Sequence, residues 1–123
     1  MATTFGPYTP VRQAGNVFFV SGQVGVDTQM KTASQNVAAQ AEQALANMKR
    51  VLEDAGLSMN HVVKTTVFLT DMGNFAKFNE VYEKHFDAPR PARSAVAVYE
   101  LPRVAGDTTL LVEIEAVAYK EQA

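Results

Sequence analysis

Apolar residues recur along this chain with two different periods. Val17, Phe18, Phe19 and Val20 form a short apolar run between Gly15-Asn16 and Ser21-Gly22, the pattern of a buried strand. Gly22, Gly25 and Asp27 then break or bulge it. Over residues 34–55 the period changes. Val37, Ala41, Leu45, Met48, Leu52 and Ala55 follow three- and four-residue spacing, which predicts a long amphipathic helix. Ser34 or Asn36 is placed to cap it, and Gly56 stands where helices commonly stop. Residues 60–70 return to alternation, with Val63, Thr65, Val67 and Leu69 on one face and Lys64, Thr66 and Phe68 on the other.

A second helix is expected from a cap at Asp71 or Asn74 through Phe86. Phe75, Phe78, Val81 or Tyr82, and Phe86 form its apolar stripe, and Asp87-Ala88-Pro89-Arg90-Pro91 ends it. Residues 93–99 read as a strand with Val96 and Val98 inward. Residues 110–119 read as the last strand, with Leu110, Val112, Ile114, Ala116 and Ala118 on one face. Gly6-Pro7-Tyr8-Thr9-Pro10 is a turn-rich opening. The order β, or ββ, then α, β, α, β, β fits an α+β domain, a single sheet with both helices packed on one face.

The other face of that sheet carries the candidate chemistry. On the last strand it should present Leu111, Glu113, Glu115 and Val117, and on the strand before it Arg93, Ala95, Ala97 and Tyr99. That mixture is too apolar for a solvated surface and too charged for a monomer core. A second copy covering the face would resolve the conflict. Charges inside strands of a small domain are costly unless paired or functional. Arg93, stiffened by Pro91-Ala92, suits either a carboxylate clamp or an ion pair with Glu113 or Glu115. Glu113 and Glu115 share a strand face, suited to orienting water or relaying protons, or to simple solvation. Tyr8 in its turn and Asn79 within the second helix are polar candidates that rim packing or helix exposure would also explain.

Composition narrows the field. The chain has 123 residues, one domain at residues 1–123, with 11 Lys and Arg against 13 Asp and Glu. A formal charge of −2 favours neither nucleic acid nor an anionic membrane as partner. No apolar run approaches the ~20 residues needed to span a bilayer, and the first eight residues show no secretory pattern, so a cytoplasmic protein is expected. With no cysteine and two histidines lacking ligand spacing, no metal site or thiolate chemistry is expected. His85 at a helix C-terminus suits the dipole instead. No serine has a histidine at triad spacing, and Ser21-Gly22-Gln23-Val24-Gly25 lacks the Lys-Ser/Thr ending of a phosphate loop.

Several segments, in order, are similar to one known family. They are Gly6-Pro7-Tyr8, Phe19-Val20-Ser21-Gly22-Gln23, Val63-Lys64-Thr65-Thr66-Val67-Phe68-Leu69-Thr70-Asp71-Met72, Phe78-Asn79-Glu80-Val81-Tyr82, Arg90-Pro91-Ala92-Arg93-Ser94 and Val112-Glu113-Ile114-Glu115-Ala116. Together they resemble the RidA/YjgF family across nearly the whole chain. The resemblance implies a chorismate-mutase-like fold and a homotrimer whose sheets form a central barrel with clefts between subunits. It implies cofactor-free hydrolysis of reactive enamines and imines, such as 2-aminoacrylate, to 2-keto acids and ammonia. By the same resemblance Arg93 binds the substrate carboxylate, Glu113 serves the attacking water, and Tyr8, Asn79 and Gly22 line the cleft. Ala95 stands where many members have cysteine, and its backbone N–H would still meet a carboxylate. The link at residues 103–109 is longer than usual, and this hairpin is expected near a cleft. Family members are also labelled endoribonucleases or translation inhibitors, and a non-catalytic ligand-binding or chaperone-like role is a third class.

Overall fold

In a computed structural model that describes residues 4–27 and 34–122, two helices pack on one face of a five-stranded sheet. Of the sequence reading, only Met1, Ala2 and Thr3 in the opening lie outside the described residues. The strands are β1 (Val11–Ala14), β2 (Val17–Val24), β3 (Val62–Leu69), β4 (Ala92–Ala97) and β5 (Val112–Tyr119), in spatial order β1-β2-β5-β3-β4. The helices are α1 (Val37–Asp54) and α2 (Phe75–Tyr82). Strands β1, β2, β5 and β3 pair antiparallel, while β4 pairs parallel to β3 after the crossover through α2.

The core lies between the helices and the sheet. Val112, Ile114, Ala116 and Ala118 of β5 are buried against Ala41, Leu45, Met48 and Leu52 of α1, as their spacing predicts. Asn36, not Ser34, caps α1 by accepting the Ala39 N–H at 3.1 Å. Asp71 caps a 3-10 turn over Met72–Asn74 that leads directly into α2. The α-helix then ends at Tyr82, four residues before the predicted end, yet Phe86 remains buried in the turns that follow. His85 therefore lies beyond the helix, and its Nε2 meets Glu42 of α1 at 2.7 Å.

Two polar residues on the buried stripe of α1 escaped the sequence reading. Gln40 is fully buried, donates to the Ser34 and Thr109 carbonyls and accepts the Leu111 N–H at 2.7 Å. Asn47 donates to the carbonyls of Val24 and Val26 and accepts from Gln43 and Arg50. Both are satisfied, as buried amides must be, and they tie α1 to the end of β2 and to the segment before β5. At Gly25 an added Cβ would stand 2.6 Å from the Cα of Gln40, so only glycine lets the chain pass this close to the helix.

Three expectations about strand faces need correction. The β3–β5 register slips between Val62 and Lys64, which leaves Val63 exposed rather than in the core. Val96 is 42% exposed and Val98 half-buried, so Val96 does not point into the core of the chain. Arg93 pairs with Thr65, a buried helix-side residue of β3, and so lies on the helix face. Glu113 pairs with Phe68, of opposite parity, on the open face. Arg93 and Glu113 therefore project from opposite sides of the sheet.

Candidate functional site

The predicted polar residues gather into two groups. The first is built around Arg93 on the edge strand β4. Its Nη1 donates to Asn79 Oδ1 at 2.8 Å. Its guanidinium carbon lies 4.8 Å from the ring centre of Tyr82, 5.4 Å from Phe75 and 6.0 Å from Phe78. A planar cation held against three aromatic rings keeps its orientation with little entropy left to lose. The ion pair with Glu113 or Glu115, one of the two sequence readings for Arg93, is not formed within the chain.

Beneath the guanidinium, the Tyr82 hydroxyl and Thr65 Oγ1 are 2.7 Å apart, both residues buried. Burial pushes the Tyr82 phenol above its ordinary value of 10.0, although its bond to Thr65 and the charges of Arg93 and Arg90 oppose this. The ring is therefore a neutral platform at physiological pH. Periodicity placed Tyr82 on the apolar stripe but gave no sign that the ring supports a cation. Ala95 follows two residues along the same face of β4.

The second group surrounds Glu113 on the open face. The β2–β5 register shifts between Val20 and Gln23, so Ser21 and Gly22 bulge from the ladder beside Glu113. Ser21 donates its hydroxyl to the Thr9 carbonyl at 2.6 Å and its N–H to that of Pro10 at 2.9 Å, which fastens the bulge to the turn carrying Tyr8. Gly22 lies so close to Glu113 that an added Cβ would collide with Oε2 and stand 2.7 Å from Cδ. Tyr8, Gly22, Glu113 and Glu115 line one open cavity of about 400 Å³. Burial raises the Glu113 carboxyl above its ordinary value of 4.5, and the neighbouring charge of Glu115 raises it further. A carboxylate with a raised pKa in a cleft is equipped to take up a proton from water.

Neither group completes a site alone. One offers a fixed cation and no base, and the other a base and no cation among its lining residues. The 103–109 link, expected as a hairpin, joins β4 to β5, which are not neighbours in the sheet, so it forms no hairpin; its Val104, with Pro102 just before it, forms part of the cavity wall. Among the described residues, no group of three His, Cys, Asp or Glu is placed to hold a metal, and no helix is long and apolar enough to cross a membrane.

The comparisons with known proteins agree with this fold. A family model described as endoribonuclease L-PSP matches residues 1–120. A RutC family protein of Pyrococcus horikoshii is 45% identical over 117 residues, 94% of this chain and 89% of the relative. The 2-iminobutanoate/2-iminopropanoate deaminase of Salmonella typhimurium is 41% identical over 118 residues, 94% of this chain and 88% of the relative. Among solved structures, RidA from an Antarctic Psychrobacter superposes with a TM-score of 0.88 at 39% identity, covering 97% of this chain and 93% of that one. Escherichia coli TdcF with bound serine gives 0.88 at 38% identity, covering 98% and 93%. With the fold, the motifs and the family model in accord along its length, the chain belongs to the RidA/YjgF family, the family also described as endoribonuclease L-PSP.

Proposed function

We propose that this protein hydrolyses 2-imino acids such as 2-iminopropanoate and 2-iminobutanoate, and the enamine 2-aminoacrylate, to 2-keto acids and ammonia. It does so without a cofactor, in clefts between the subunits of a homotrimer. The observation that carries the reading is the pairing of two incomplete half-sites, a pre-set guanidinium on one face and a proton-accepting carboxylate on the other. Two different surfaces that complete each other make a heterologous contact, which closes into a ring when the rotation allows. Exposed apolar side chains on the open face, Phe19 and Val96 among them, suit burial in such a contact. The deaminase name of the Salmonella relative and the serine bound to TdcF support a small ligand bearing a carboxylate.

In this mechanism Arg93 grips the substrate carboxylate, aided by the Ala95 backbone N–H, while Asn79 fixes the guanidinium. Glu113, with Tyr8 beside it, holds a water against C2. The reacting form is the iminium, which the enamine reaches by taking a proton from solvent at C3. As the water oxygen bonds to C2, Glu113 takes one water proton and the C2–N π electrons move to nitrogen, giving a neutral carbinolamine. Glu113 then returns that proton to nitrogen, and ammonia leaves as the hydroxyl proton passes to Glu113 and the C2–O bond becomes a carbonyl; Glu113 finally releases the proton to solvent. The protons balance and no redox partner is needed. The absence of cysteine is compatible with a reducing cytoplasm as its workplace.

The test couples the protein to a serine or threonine dehydratase and follows keto-acid release. Acceleration supports the reading, while no acceleration alongside RNA cleavage that survives loss of Arg93 would favour the nuclease in the family's description. Light scattering at micromolar concentration should give about 40 kDa, three times 13.4 kDa; a monomeric mass would remove the composite cleft. Gly22→Ala adds a second check. The new methyl displaces the mobile end of Glu113 rather than backbone, so folding should persist. Activity should fall about 100-fold, the cost typical of a reacting group moved by about 1 Å. Undiminished turnover in Gly22→Ala would remove Glu113 from the reaction.

A further inference from the structure

Three residues before Arg93, a second guanidinium stands at the end of α2. Arg90 is exposed, and its Nη2 donates to the Glu83 carbonyl at 3.3 Å. Glu83 closes α2 and donates its N–H to the Asn79 carbonyl at 3.1 Å. Asn79 holds Arg93 and Glu83 holds Arg90. The two anchors therefore lie one helical turn apart, about 6 Å at 1.5 Å per residue. Pro89 and Pro91 flank Arg90 and stiffen the backbone on either side of it.

Neither cation has an acid as partner. Among the described residues, no carboxylate forms an ion pair with Arg90 or Arg93, although Glu83 and Asp87 lie close to Arg90 in sequence. Both acceptors are neutral, an amide oxygen at Asn79 and a backbone carbonyl at Glu83. Burial is what most raises the Tyr82 phenol, and among the influences that oppose it the charges of Arg93 and then Arg90 follow the bond to Thr65. Both charges thus reach the ring on which Arg93 stacks. Two like charges this near repel, and an anion that meets both relieves the repulsion.

The rest of the molecule repels such an anion. The chain carries a formal charge of −2, and the half-site that completes the proposed cleft brings in Glu113 and Glu115. A local positive field has to offset this for an anionic substrate to arrive quickly. Arg93 is half-buried and committed to its aromatic stack, whereas Arg90 faces solvent.

We propose that Arg90 is a capture residue: its exposed charge draws the carboxylate of an anionic substrate toward Arg93 and takes no part in the reaction at C2. The proposal rests on the reading of Arg93 as the carboxylate clamp. Arg90 supplies charge rather than a planar fork, so lysine can take its place, unlike that of Arg93. Because the charge lies in water, salt screens it. A guanidinium at a helix C-terminus can also serve only as a cap, and that role has a different signature. Loss of a cap lowers the melting temperature and leaves the salt dependence of ligand binding as it was.

The test is calorimetry of the intact oligomer with pyruvate at ~0.01 M and ~1 M salt, where the Debye length is about 30 Å and about 3 Å. At low salt Arg90→Gln should bind pyruvate about three- to tenfold more weakly than wild type, one charge's share of a steering field worth ~10-fold or more. At high salt the two proteins should converge. Arg90→Lys should match wild type under both conditions. In turnover of 2-iminopropanoate, Arg90→Gln should raise KM by the same factor at low salt and leave kcat alone. Equal affinity at low salt, a loss that persists at high salt, an Arg90→Lys as weak as Arg90→Gln, or no pyruvate binding by wild type would overturn the proposal. A lower melting temperature in Arg90→Gln with unchanged pyruvate affinity would make Arg90 a helix cap alone.

The same measurements separate the capture role from the reaction it serves. Pyruvate binding that depends on Arg90 and on salt, without imine hydrolysis, would keep the capture residue and discard the deaminase. Imine hydrolysis with a KM indifferent to Arg90→Gln would do the reverse.

Discussion

Arg93→Lys is expected to lower kcat/KM on 2-iminopropanoate by roughly ten- to over a hundred-fold while the oligomer keeps its mass. Lysine keeps the charge but loses the planar fork, and a hydrogen bond to a charged group contributes about 1.5–3 kcal/mol, at 1.36 kcal/mol per factor of ten. The structure adds a second reason. The guanidinium lies against Tyr82 at 4.8 Å with one arm on Asn79, so its remaining N–H groups are already aimed. An ammonium on a flexible stem has no flat face to stack and must be ordered anew at each binding event. Stability should change little, because the Thr65–Tyr82 bond and the buried aromatic rings do not depend on the cation. Wild-type turnover in Arg93→Lys would mean that Arg93 is not the carboxylate clamp.

Why the candidate residues are legible in the sequence, but not their separation onto two faces of the sheet, follows from how strands are read. Alternation assigns faces within a strand, and it places Glu113 and Glu115 together and opposite Val112 and Ile114. It says nothing about how one strand's parity aligns with another's. β4 neighbours β3, parallel to it, and the register Thr65↔Arg93 turns Arg93 toward α2. That register is set by the α2 crossover and has no local signature. Val96 misled for a related reason. An apolar residue in a strand normally points to its own core, but this one lies on the open face, away from the helices.

Local chemistry was read more faithfully than pairing. The Asp71 cap, the end of α1 before Gly56 and the break near Gly22 all stand where turn and cap residues implied. Gln40 and Asn47 were missed although they recur with Val37, Ala44 and Val51 on the helical spacing of the buried stripe. A long polar side chain at a core position signals a buried hydrogen-bonding task, and attention to apolar positions alone passes over it. The slip at Val63 has no such signal, since Val62-Val63 reads equally well in either phase.

Glu113 provides the second large effect and a pH test of the mechanism. Glu113→Gln should lower turnover about 100-fold or more, the usual contribution of a general acid–base group, while 2-keto acid affinity is largely retained through Arg93. Glu115 sits two residues along the same face, about 7 Å away at strand rise, too far to serve the same carbon. In the wild-type protein the ionised carboxylate is the working form, so activity should rise with pH through a limb above the ordinary carboxylate range. Burial is the larger cause of that position and the charge of Glu115 the smaller. Glu115→Gln should therefore move the limb to lower pH without abolishing it. The same shift has a sign for stability. Because the folded state holds the Glu113 proton to higher pH than the unfolded chain, the contribution is fully present below about 4.5 and is lost as pH rises through the folded value. Glu113→Gln, which cannot ionise, should be relatively more stable at neutral than at acid pH when compared with wild type. Rate–pH profiles and thermal melts of the three proteins make the comparison. Unchanged turnover in Glu113→Gln with a large loss in Glu115→Gln would assign the reaction to the other glutamate.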